Sequence, residues 1–170
     1  MTRGDFILKW AFYALALTPV LVLGLFLLPW FPIFGTIPVL LPVAAITVAV
    51  LEGPVAGAGY GLFVGILSDA FIPGQTGAMT LALPVLGIAA GITVRYVLRQ
   101  NLLGCLACSA GALVIIDLFR VLGFWIRNVA PLGKLLWVAL PEIFWSLMFT
   151  PLIYLIYRWI FLRVPKATVL

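Results

Sequence analysis

Four of the five acidic residues in this 170-residue chain, Glu52, Asp69, Asp117 and Glu142, fall within or beside long apolar runs. Carboxylates at such positions can share a proton, as in intramembrane aspartyl proteolysis, or relay protons across a membrane. Asp69 and Asp117 are the one pair worth testing for proteolysis, but their neighbouring residues do not resemble an aspartyl protease motif. A proton relay needs a ladder of titratable groups, and the chain contains no histidine. We therefore expect these four acids to be intramembrane polar anchors.

The spacing of the acids limits which of them can pair. Asp117 lies three residues before Arg120, on one face of a helix, which predicts a local ion pair. Arg120 is also near the end of its apolar run, where its long stem can carry the charge toward the membrane surface. Glu52 and Asp69 lie near opposite ends of one predicted helix, so they cannot pair directly.

Two cysteines, Cys105 and Cys108, form a C-x-x-C pair inside an apolar run. Tetrahedral zinc needs four ligands, and the chain offers no histidine to complete such a set. Packing is the better interpretation of both thiols. No phosphate-binding glycine loop and no serine with a histidine base can be assembled. The sequence thus predicts a protein that is not an enzyme and that carries no metal and no cofactor.

Glycines recur every four residues in one apolar run, at Gly53, Gly57, Gly61 and Gly65, and Asp69 continues the same register. Residues four apart share one helical face, and small residues let another backbone approach closely in lipid. Gly87 and Gly91 form a second, shorter strip. The strips have two interpretations: packing between helices of this chain, with the second strip as partner of the first, or docking of a helix from another protein.

The elements that carry these residues are membrane helices. Hydrophobic residues make up 65% of the chain and charged residues 9%, which is far from the composition of a soluble domain. A span needs about 20 mostly apolar residues, so the chain has room for about six and for no separate folded domain. We predict a single transmembrane helical domain over residues 1–170, all-α, with a turn at Pro73, Gly74 and Gly77. The predicted spans cover residues 10–28, 37–51, 54–71, 78–97, 102–124 and 135–160.

The second predicted span is short and contains Pro38 and Pro42, so its limits are the least defined. Six spans place most lysines and arginines on one side, which predicts that both termini are cytoplasmic. The net charge of +5 is then explained by the lysines and arginines that set the membrane topology. Nucleic-acid binding would need a basic soluble face, which the sequence does not offer.

The segment from Gly57 to Asp69, GAGYGLFVGILSD, is followed after three residues by PGQTG at positions 73–77. This arrangement resembles the central signature of the bacterial rod-shape-determining MreD family, in which a glycine-spaced helix ends in an aspartate before a short turn. The resemblance extends to the chain length, the six-span hydropathy and an aspartate in the fifth span, here Asp117. It implies a fold similar to the substrate-binding components of energy-coupling-factor transporters.

The resemblance also implies a function. Members of this family are multi-pass proteins of the bacterial inner membrane, surrounded by membrane lipid, and they belong to the machinery that elongates the cell wall. Their expected partners are MreC, a RodA-type glycosyltransferase with a class B penicillin-binding protein, and the filament protein MreB. On this basis the chain is expected to be a non-enzymatic scaffold, with Gly57, Gly61 and Gly65 as candidate docking surface.

An alternative from another class is the substrate-binding component of an energy-coupling-factor vitamin transporter. Such a component holds a polar ligand in a pocket that opens to the outside. The predicted outward segments carry few polar or aromatic side chains: Trp30, Gln75, Thr76, Arg127 and Asn128. This inventory is sparse for capturing a polar vitamin, and it also argues against a pore or proton-coupled carrier.

Overall fold

A computed structural model of the chain describes residues 3–30, 38–71, 77–96, 101–126 and 132–163. Over these ranges the architecture is all-α, as predicted. The helices are α1 (Arg3–Val22), α2 (Leu40–Glu52), α3 (Pro54–Phe71), α4 (Ala78–Tyr96), α5 (Leu102–Ile126) and α6 (Leu132–Arg163). A π-helical turn at Leu23–Leu27 and a 3₁₀ turn at Leu28–Trp30 continue α1. Each helix corresponds to one of the six predicted apolar segments.

Within the described ranges, four stretches are long and apolar enough to cross a membrane: α3, α4, α5 and the Leu136–Arg163 part of α6. The apolar Lys9–Val22 part of α1 and all of α2 are shorter. With 13 residues, α2 rises about 20 Å, less than the roughly 30 Å of a hydrocarbon core. The four long helices fit a transmembrane protein. Because α2 is shorter than the hydrocarbon core, its ends must be surrounded by other parts of the protein.

Those surroundings are protein on every side. Every residue from Leu40 to Leu51 is buried, and α2 packs against all five other helices. A helix that is apolar around its whole circumference is typical of the centre of a bundle. Ahead of its first turn, the Val39 amide donates a hydrogen bond to Ser146 Oγ of α6 at 3.0 Å. Backbone outside a helix is tolerated at membrane depth where protein groups satisfy it in this way.

Close contacts define the two ends of the bundle. Lys9 on α1 contacts Glu52 at the end of α2, and Tyr60 on α3 contacts Tyr157 on α6. We call this end, which also includes the end of α4, the Glu52 end. At the opposite, Glu142 end, α3 leads toward α4 and α5 toward α6. Successive helices from α2 onward therefore run in alternating directions.

Candidate functional site

The backbones of α3 and α4 approach one another closely along the glycine strip. A Cβ atom added to Gly57 would lie 3.0 Å from the Gly87 carbonyl oxygen and 2.4 Å from Ala49 Cβ of α2. On Gly61 it would lie 2.7 Å from the Leu83 carbonyl oxygen, and on Gly65 2.6 Å from the Met79 oxygen. These distances are below any ordinary carbon contact, so only glycine fits. Each step of four residues along α3 matches a step of four back along α4.

The second strip, on α4, belongs to the same α3–α4 contact, which we call the seam. A Cβ on Gly87 would lie 2.5 Å from the Gly57 oxygen, and one on Gly91 2.5 Å from the Pro54 nitrogen. Gly53 serves the turn between α2 and α3, where its φ of 100° is a conformation that side chains disfavour. The chain's own helices fill the glycine strip, which leaves no room on it for a helix of another protein.

Asp69 closes the other end of the same hairpin. Its carboxylate accepts hydrogen bonds from the Thr80 amide at 2.8 Å, the Thr80 hydroxyl at 2.6 Å and the Met79 amide at 3.3 Å. These amides belong to the first turn of α4, which has no intrahelical partners for them. Asp69 on α3 thus caps the N-terminus of α4. Pro73 and Gly74 of the predicted turn lie outside the described residues, and Gly77 has a φ of 72° just before α4.

Glu52 is the centre of a polar cluster that the sequence did not predict. Its carboxylate lies 2.5 Å from Lys9 Nζ and accepts a hydrogen bond from the Tyr13 hydroxyl at 2.7 Å. The Lys9 and Glu52 side chains are 8% and 11% exposed, so a cation and an anion neutralise one another in a largely dry place. Lys9 and Tyr13 are four residues apart on α1 and so share one face of the helix. This spacing is the one signal of the cluster that the sequence contains.

Three tyrosines extend this cluster toward α6. The Tyr60 hydroxyl donates to the backbone oxygen of Tyr13 at 3.1 Å and lies 2.7 Å from the Tyr157 hydroxyl. The Tyr13 and Tyr157 rings stack with centroids 5.9 Å apart. All three side chains are fully or almost fully buried, and their hydroxyls have partners, as buried hydroxyls require. The cluster joins α1, α3 and α6 at the Glu52 end.

The remaining two acids meet one arginine between α5 and α6. Arg120 donates from Nη1 to Glu142 Oε1 at 2.9 Å and from Nη2 to Glu142 Oε2. The same Nη2 lies 2.7 Å from Asp117 Oδ1, which is the predicted local ion pair. The Asp117 and Glu142 side chains are each 8% exposed. Glu142 holds both terminal nitrogens of Arg120, whose side chain is 29% exposed.

Asp69 and Asp117 have separate sets of partners, and no contact joins them over the described ranges. The two carboxylates are therefore not in the direct contact that sharing one proton requires. Cys105 is buried, with its sulfur 3.5 Å from Thr47 Oγ1, and Cys108 is half-buried; both are free thiols. Among the described residues no group of three metal-ligating side chains occurs.

A shallow open groove of about 330 Å³ lies on α6. Its lining consists of Trp137, Leu140, Pro141, Phe144 and Trp145, all of one helix. An apolar lining of this kind suits acyl chains or apolar side chains and offers little to orient a polar ligand. Comparison of the chain with protein-family models, with curated proteins and with solved structures finds no match.

Proposed function

We propose that the chain is a non-enzymatic membrane scaffold of the MreD type, which positions partner proteins for elongation of the bacterial cell wall. The observation that carries the proposal is the α3–α4 hairpin. The residues behind the resemblance, Gly57, Gly61, Gly65 and Asp69, act there as one unit: a glycine seam with a capping carboxylate at its end. Motif residues that form one continuous helix contact support the resemblance more strongly than glycines scattered along the chain would.

The use of polar side chains supports a scaffold over a transporter or an enzyme. Most polar side-chain pairs of the described residues join one helix to another: Lys9 to Glu52, Asp69 to Thr80, and Arg120 to Glu142. Such pairs rigidify a bundle and fix its register. A vitamin-binding component would instead direct polar groups into an open pocket, and the groove on α6 is apolar.

The proposed topology has six spans in the inner membrane and both termini in the cytoplasm. Lysines and arginines favour the cytoplasmic side of short connections. Lys9, Arg95, Arg158 and Arg163 lie toward the Glu52 end, so that end is assigned to the cytoplasm. In this topology α2 crosses within the protein and does not face lipid, which explains how a short helix serves as a span. A fluorescent-protein fusion at the C-terminus should fluoresce, whereas a periplasmic phosphatase fusion there should stay inactive.

The function is tested by affinity purification of the tagged protein from its native membrane in mild detergent, followed by mass spectrometry. The expected result is recovery of MreC with the RodA-type glycosyltransferase and the class B penicillin-binding protein; MreB should follow after cross-linking. An unrelated tagged inner-membrane protein of similar size is the control. Recovery of two ATPases and a coupling membrane subunit would instead identify a vitamin-transporter component and refute the scaffold.

A further inference from the structure

Asp117 stands out when the partners of the four intramembrane acids are compared. Glu52 has an ammonium group and a hydroxyl, Asp69 has two amides and a hydroxyl, and Glu142 has two guanidinium nitrogens. Asp117 has a single ion-pair contact, through Oδ1, to a nitrogen that Glu142 already uses. Its carboxylate accepts no hydrogen bond from any residue that the structure describes. Its other oxygen, Oδ2, therefore has no partner among the described residues.

The charges around Asp117 do not balance either. Two carboxylates, Asp117 and Glu142, share one guanidinium, whereas Lys9 and Glu52 neutralise one another at the opposite end. A negative charge in excess at membrane depth is costly unless another group neutralises it. No second cation contacts Asp117 or Glu142 over the described ranges. With both carboxylates ionised, the described residues of this site are one positive charge short.

Asp117 is also next to a surface on which a helix can lie. It sits at the edge of the buried face of α5, and Val114 and Leu118 beside it are 50% and 62% exposed. Trp125, two turns farther along, is 52% exposed. We call Val114, Asp117, Leu118 and Trp125 the α5 face. Asp117 lies nine residues before the end of α5, which is about 14 Å along the helix axis.

We propose that the α5 face binds a membrane-spanning helix of a partner protein that carries one lysine or arginine at the depth of Asp117. The partner's cation pairs with the free side of the Asp117 carboxylate and brings the cluster to neutrality. Its apolar residues pack on Val114, Leu118 and Trp125. This proposal rests on the scaffold function, and it moves partner docking from the occupied glycine strip to an open surface.

The test uses synthetic helices whose composition is known. Three leucine-based transmembrane peptides differ at their central position, which is arginine, glutamine or leucine, and each carries a fluorescent acceptor. The full chain, labelled with a donor at its C-terminus, is reconstituted with them in lipid nanodiscs, and binding is measured by energy transfer. We expect the arginine peptide to bind about tenfold more tightly than the leucine peptide, with glutamine in between.

Two variants and one control assign this preference to the charge. Asp117→Asn removes the free carboxylate and should abolish the preference for arginine. Glu142→Gln leaves Asp117 in place but lets Arg120 neutralise it, so it should abolish the preference as well. Asp69→Asn changes a fully partnered acid on another helix and should leave the preference intact. Circular dichroism and gel filtration establish that each variant is folded.

The proposal is overturned if the three peptides bind the wild-type chain equally, which is also the result expected if Asp117 carries a proton. It is equally overturned if Asp117→Asn, still folded, keeps the arginine preference. Failure of the scaffold function is a separate outcome. In that case MreC and the wall synthases do not co-purify with the wild-type chain, whatever the peptides do.

Discussion

Replacing Gly61 by alanine tests the α3–α4 seam most directly. The added Cβ would lie 2.7 Å from the Leu83 carbonyl oxygen and 2.9 Å from the Leu83 carbonyl carbon. Ordinary contacts begin at 3.4 Å, so the two helices must separate by about 0.7 Å, the difference between 3.4 and 2.7 Å. Both obstructing atoms belong to backbone, which cannot turn aside as a flexible side chain can.

The expected cost follows from what that separation removes. Overpacking by a single carbon typically costs about 1–3 kcal/mol, and a gap of this size forfeits a quarter to a half of each dispersion contact it opens. The contacts of Gly57 with Gly87 and of Gly65 with Met79 lie in the same seam and would open as well. Alanine recovers up to about 1 kcal/mol through its better helix propensity, so a matched control must remove this term.

Gly59→Ala is that control, because Gly59 lies on the same helix and an added Cβ there meets nothing within 4 Å. We expect Gly61→Ala to be less stable than Gly59→Ala by about 1–3 kcal/mol. The assay is reversible unfolding in mixed micelles with a rising fraction of dodecyl sulfate, followed by helical circular dichroism. If Gly61→Ala unfolds at the same detergent fraction as Gly59→Ala, α3 and α4 do not approach as closely as these distances require.

Three further changes probe other contacts. Glu52→Gln leaves Lys9 buried without its anion and should lower the free energy of unfolding by about 3–5 kcal/mol. The double variant Lys9→Met/Glu52→Gln should recover much of this loss in the same assay. If Glu52→Gln alone is as stable as the wild-type chain, the ion pair is contradicted. Asp69→Ala should cost about 0.5–2 kcal/mol through loss of the α4 cap, whereas Asp69→Asn keeps an acceptor oxygen and should cost less; equal losses would argue against capping. A membrane-permeant maleimide should modify half-buried Cys108 before buried Cys105, and equal rates by mass spectrometry would contradict their different burial.

Local signals were sufficient to locate the helices. The predicted third span, residues 54–71, has the same limits as α3 because Gly53 and Pro54 combine a turn with a favourable first helical residue. The glycine period also predicted a face of close approach. Whether that face met a helix of the same chain or of another one depended on the register between α3 and α4, which no local rule supplies.

The polar clusters were harder to predict because their members lie far apart in sequence. The rule for neighbours on one helix found the pair of Asp117 and Arg120 but not the stronger contact of Arg120 with Glu142. These two residues lie at equal sequence distances on either side of residue 131, as expected for opposite positions of a helical hairpin. The pairing of Lys9 with Glu52 had no such symmetry, since it links α1 to the end of α2 and these two helices are not joined by a short turn.

The glycine seam and the polar pairs determine how the helices of this bundle align. In lipid, apolar surfaces gain little by meeting one another, so apolar packing alone specifies register weakly. In this bundle the glycine seam and the polar pairs supply the register: Lys9 with Glu52 positions α1 on α2, Asp69 caps α4, and Arg120 joins α5 to α6. Each of these contacts is complete within the chain. Among Glu52, Asp69, Asp117 and Glu142, only Asp117 has a carboxylate oxygen that no contact of the described residues uses, and this is why the α5 face is the place to look for a partner.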